Sequence, residues 1–81
     1  MLTGERLTYL QMRYTVILEQ GETSFGAYVP DLPGCVAAAE TRAEALELIV
    51  EAIELHIDDL RERGETIPEP HTFFESVEVA A

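Results

Sequence analysis

The sequence has no tryptophan, no lysine and a single cysteine, Cys35. One cysteine makes an intramolecular disulfide impossible and gives no hint of a secreted, oxidising setting. All five basic residues are arginines, against 16 acidic residues, so the net charge is −11. That balance argues against direct nucleic-acid binding, which needs a basic footprint to neutralise phosphates. It argues equally against docking on an anionic membrane surface. No stretch approaches the roughly 18 apolar residues of a membrane span. The opening MLTGERLTYLQ lacks the apolar core of a signal peptide, so a cytoplasmic location is expected. Solubility, a basic partner or a bound cation remain as reasons for the charge.

Hydrophobic residues make up 47% of the 81 positions, too many for a disordered acidic tail. A 9.0 kDa chain should fold to about 4,900 Å² of accessible surface from about 13,000 Å² unfolded, which is near the marginal end for one domain. Chains this small often add a disulfide, a metal or a second subunit. With no disulfide available, a homo-oligomer, a dimer or higher, is the simplest expectation. Residues 1–11 read as an irregular leader and residues 12–81 as the working domain. No internal repeat or low-complexity segment is present.

Residues 13–19 and 24–29 alternate at period two, with Tyr14, Val16 and Leu18 on one face and Phe25, Ala27 and Val29 on another. The polar stretch Gln20–Thr23 between them reads as the loop of an antiparallel hairpin. The string Pro30-Asp31-Leu32-Pro33-Gly34 then breaks the strand, and Pro33-Gly34 suits the centre of a type II turn. Residues 35–40 fit a third, small-sided strand. The strongest helix signal runs from Thr41 to Arg63. Thr41 and Glu44 have the spacing of a capping box, and Leu46, Ile49, Ile53, Ile57 and Leu60 form an apolar stripe. Gly64 fits the position just past the helix end. Residues 65–70 read as an extended connector, and 72–79 as a last strand with Phe73, Val77 and Val79 on one face. The expected architecture is a two-layer α+β domain in the order β-β-β-α-β, one long helix on an antiparallel sheet.

The helix carries Glu44, Glu47, Glu51, Glu54, Asp58 and Glu62 at spacings that put them on one face. This face reads either as a solvated surface or as a docking surface for a basic protein, since clustered like charges repel by a few tenths of a kcal/mol per pair. Asp31, Leu32 and Pro33, in the most unusual local string, read either as a rigid turn or as a loop shaped to meet a partner. Asp31, Glu40 and the Asp58-Asp59 pair sit on separate elements, which gives no reason to expect a metal site. His56 and His71 are too few for zinc. His56 reads as a packing residue with a pH-sensitive contact as its functional alternative. Cys35 reads as a buried structural thiol. There is no GxSxG, P-loop or GxGxxG motif. No catalytic residue, metal or cofactor is expected.

The run Tyr14-Thr15-Val16-Ile17-Leu18-Glu19, then Gly26-Ala27-Tyr28-Val29-Pro30-Asp31-Leu32-Pro33-Gly34-Cys35, resembles the HicB-like antitoxin family. The resemblance continues through Glu40-Thr41, Glu44-Ala45-Leu46 and Glu51-Ala52-Ile53 to Ile67-Pro68, and covers roughly residues 12–70. It implies a partial RNase-H-like core without a nuclease site, in a non-enzymatic antitoxin of a type II toxin–antitoxin pair. The implied partner is a small basic HicA-like toxin that cleaves mRNA, inhibited by covering its active face. Homo-oligomers are common in the family. Members usually also carry a C-terminal DNA-binding segment. This sequence shows none after its last expected strand, so direct operator binding is not expected. It has Ala39 where the family usually has glycine. Two other readings stand beside this one: a solitary dimeric scaffold without a toxin, and a metal-dependent hydrolase.

Overall fold

The computed structural model describes residues 11–81. The leader expected at residues 1–11 lies, but for Gln11, outside the described residues. Among these residues three strands, β1 (Ile17–Gln20), β2 (Phe25–Tyr28) and β3 (Val36–Ala39), precede one helix, α1 (Arg42–Glu62). The strands form an antiparallel sheet in the order β1-β2-β3. Leu18 faces Ala27 across the first pair, and Ala27 faces Ala37 across the second. β1 and β3 are therefore the two edges, and α1 lies over β3 and β2.

The local chemistry explains each join. In the hairpin, the Gly21 N–H donates to the Ser24 carbonyl at 2.8 Å. The β2–β3 connection is two consecutive turns, with the Leu32 N–H on the Val29 carbonyl and the Cys35 N–H on the Leu32 carbonyl, both at 3.1 Å. In the second turn Pro33 supplies the fixed φ of the first central position, and Gly34 takes φ +88° at the next, the type II geometry. A Cβ on Gly34 would meet nothing within 4 Å, so Gly34→Ala should cost only the left-handed backbone penalty, about 1–2 kcal/mol. A urea titration should show a lowered midpoint at unchanged slope.

Thr41 caps α1. Its backbone is extended, and its Oγ1 accepts from the Glu44 N–H at 3.1 Å. At the other end Gly64 has φ +71°, its N–H donates to the Arg61 carbonyl, and the Glu65 N–H donates to the Leu60 carbonyl. That is the Schellman arrangement, which satisfies carbonyls left over at a helix end.

The core is Ala27, Val29, Leu32, Cys35, Ala45 and Ile49, with Tyr14, Val16, Leu18, Phe25, Ala37, Ala39, Ala52 and Ile53 packed around it. Small residues on both β3 and α1 let helix and sheet approach closely. Of the expected helix stripe, Ile49 and Leu60 are buried and Ile53 and Ile57 half-buried, but Leu46 is exposed. Strands lie about 4.8 Å apart, so a three-stranded sheet covers only a narrow band of the helix, and Ala45 takes the inward position instead.

Among the described residues the last expected strand is not formed. Residues 72–79 carry no strand assignment, and Phe73 is 84% exposed and Val77 82%. Thr72 is anchored, and residues 72–75 and 13–16 together line an open cleft. The architecture among the described residues is thus β-β-β-α with an extended C-terminal arm. Among the described residues no helix is long and apolar enough to cross a membrane.

Candidate functional site

Two features of the fold stand out as places where another molecule could bind. The first is the outer face of α1. Glu44, Glu47, Glu51, Glu54, Asp58 and Glu62 are all exposed, on the side of the helix opposite the buried Ile49, as the 3.6-residue period requires. Glu44 is engaged with the Thr41 cap, and Asp58 lies 3.6 Å from Arg61. Among the described residues, Glu47, Glu51, Glu54 and Glu62 make no ion pair. Exposed apolar side chains flank this ridge, Leu46 and Val50 on one side and Leu48 and Leu55 on the other. Beside its N-terminal half runs the free edge of β3. A groove there is lined by Ala38, Ala39, Glu40, Glu44, Glu47 and Leu48. The small β3 side chains leave that strand edge open to an incoming backbone, and three carboxylates stand over it.

The second feature is the Pro30–Gly34 loop, which proves to be anchored inward. Leu32 is 0% exposed and Asp31 is buried, whereas Pro33 is exposed. Asp31 clamps the C-terminal arm at its root. Its Oδ2 accepts the N–H of His71 at 2.9 Å and of Thr72 at 3.0 Å, and its Oδ1 accepts the Thr72 hydroxyl. The His71 ring lies 3.2 Å from the same Oδ1. The Thr72 hydroxyl holds the Asp31 carboxyl below its ordinary range; burial opposes this, and the two N–H groups and the His71 ring add to the lowering. Two further bonds tie the connector to the chain ahead of β1, from the Tyr14 hydroxyl to the Pro68 carbonyl and from Thr15 to the Thr72 carbonyl. Burial first, then the charges of Asp31 and Glu69, raise the Tyr14 phenol above its usual range.

The structure therefore separates the residues singled out from the sequence. The six helix carboxylates form one surface, Pro33 is exposed, and Asp31 and Leu32 are buried. The role of Thr72 and His71 as donors to Asp31 escaped sequence reading, because a contact across 40 residues leaves no periodic trace. Cys35 is buried, and burial raises its thiol pKa. It should resist alkylation in the native protein and react only on unfolding, as a thiol reagent titration in urea would show. Among the described residues no three potential metal ligands converge.

Comparison with known proteins decides the family. A family model described as the HicB-like antitoxin of bacterial toxin–antitoxin systems matches residues 14–79. The chain belongs to the HicB-like antitoxin family. An antitoxin HicB 2 of Photorhabdus laumondii is 39% identical over 75 residues, which is 86% of this chain and 51% of that protein. A UPF0150 protein of Thermoplasma acidophilum is 43% identical over 58 residues, 70% of this chain and 84% of the relative. A 14.9 kDa protein from the rep–hol intergenic region of Haemophilus phage HP1 is 37% identical over 57 residues, 70% of this chain but 43% of the phage protein. This HicB-like chain thus spans nearly the whole of one relative and about half of the other two. The matched region contains the β2–β3 loop, the acidic helix and the arm.

Proposed function

We propose that this chain is a non-enzymatic antitoxin that acts in the cytoplasm by binding a small basic HicA-like toxin and covering its active face. The contact surface is the acidic outer face of α1 together with the free edge of β3. The observation that carries this reading is the row of exposed carboxylates, four of them without an ion pair among the described residues, beside an open strand edge, with Leu46, Leu48, Val50 and Leu55 supplying apolar contact next to the charge. A basic partner relieves the repulsion within the ridge, and a strand added at β3 gains main-chain hydrogen bonds. Charge complementarity speeds encounter and orients the partner.

The test is calorimetry against the small basic protein encoded next to this one. Binding should weaken as salt is raised. The double reversal Glu47→Arg, Glu51→Arg should cost on the order of 2 kcal/mol or more, roughly thirtyfold in affinity. Both side chains are exposed, so the circular dichroism of the free protein should not change. Absence of binding at low salt, or binding indifferent to the double reversal, would sink the proposal.

A further inference from the structure

We propose that the cleft beside the β1 edge captures a strand-forming segment of a basic polypeptide. The proposal rests on this cleft and not on the α1–β3 surface, since β1 and β3 are opposite edges of the sheet. The cleft has a volume of about 500 Å³, within the roughly 300–1,000 Å³ of ligand-sized sites. One wall is residues 13–16, which lead into β1, and the other is residues 72–75 of the arm. Among the described residues, neither 13–16 nor 73–75 makes a backbone–backbone hydrogen bond. Both walls therefore offer main-chain donors and acceptors to an occupant. An extended segment takes up such groups in a row, as strand addition at an open sheet edge does.

The roots of the two walls are tied together before anything binds. The Thr15 hydroxyl donates to the Thr72 carbonyl, the Tyr14 hydroxyl donates to the Pro68 carbonyl, and Asp31 accepts the Thr72 N–H. A slot held at its root lowers the cost of ordering the walls around an occupant. A strand of four residues spans about 13 Å, so each wall matches a short stretch of an incoming chain.

The lining sets the chemistry of the occupant. Val16, Phe73 and Phe74 give the cleft an apolar, aromatic surface, and the two phenylalanines are 84% and 77% exposed. Apolar side chains on one face of the incoming strand cover them. Charge decides the other face. Glu75 lines the cleft itself, and Glu69 and Glu54 line depressions that share Arg13 with it. Three carboxylates against one guanidinium, on a chain of net charge −11, repel an acidic segment and attract a basic one. Side chains alternate between the two faces of a strand, so the occupant alternates apolar and basic residues.

Titration of the whole chain with an acetylated, amidated peptide of alternating valine and lysine tests this, read by fluorescence anisotropy and by hydrogen exchange. Binding should saturate, weaken as salt rises, and slow exchange at amides 14–16 and 73–75. A peptide of alternating valine and glutamate should not bind. N-methylation of the valines in the lysine peptide removes main-chain donors and keeps side chains and charge. It should cost about tenfold in affinity, the worth of one or two hydrogen bonds. Phe73→Ser with Phe74→Ser should weaken binding at least as much, with unchanged circular dichroism, because both side chains are exposed. Absence of saturable binding, or equal binding of the N-methylated peptide, would overturn the proposal. So would amides 73–75 already protected in the free protein, which would mean that a second copy fills the cleft. Protection confined to β3 and α1 would overturn it as well while leaving the α1–β3 contact standing, so the two proposals fail separately.

Discussion

Leu32→Ala should cost about 2–5 kcal/mol, the range for truncating a fully buried leucine. A chain of 81 residues is stabilised by about 4–12 kcal/mol in all, so this one loop substitution removes a large share of the total. The reason is position. Leu32 sits between two prolines in a turn and is nonetheless 0% exposed, packed with Val29, Cys35, Ala45 and Ile49. Both turns of the β2–β3 connection converge on it, since its N–H and its carbonyl each close one of them. Those paired turns hold the backbone in place after truncation, so the site cannot collapse to fill the space, which puts the cost toward the upper end. Pro33→Ala, one position along and exposed, should cost far less. Urea denaturation of the two variants side by side checks the contrast. Equal losses would mean that the loop is held by its prolines and not by its buried leucine.

Asp31→Ala should free the root of the arm while leaving the sheet and helix folded. It removes the acceptor of the His71 and Thr72 N–H groups and of the Thr72 hydroxyl at once. Hydrogen exchange at these two amides should rise to the rate of an unstructured chain, and a protease should cut near residues 71–73 under native conditions. Asp31→Asn should behave differently. Its amide oxygen can take the two N–H groups and its NH2 can donate to the Thr72 hydroxyl, so the clamp holds without charge. The pH dependence separates the two states of the wild type. The folded pKa of Asp31 is lowered from 3.8, so its contribution is complete above that value and is lost as the pH falls through the lower folded value. In acid, protection at His71 and Thr72 should decline in the wild type and stay level in Asp31→Asn. If both proteins titrate alike, another group governs the arm.

The elements that sequence made plain are those fixed by neighbours. Pro33-Gly34 specifies a type II turn through two residues, and Thr41, Glu44 and Gly64 mark the helix ends through short-range bonds. The six carboxylates follow from helical period alone. Leu46 misled because spacing reports a face and not the width of the sheet beneath it. The arm misled because alternation in TFFESVEV gives the pattern of a strand without supplying a neighbouring strand for it to pair with. Asp31 is the clearest gap. Its partners lie 40 and 41 residues away, and an aspartate between two prolines is an ordinary turn residue until those donors are brought to it.

The Asp31 clamp also orders events in time. The hairpin, the two turns and the helix all rest on contacts between near neighbours in the chain, which close quickly. The bonds from Asp31 to residues 71 and 72 close a loop that spans the helix, and they form only after that helix has docked. During synthesis the carboxylate therefore faces water until almost the whole domain has emerged. Local opening at residues 71 and 72 should therefore precede opening of the helix, which native-state hydrogen exchange would show as lower protection at these two amides.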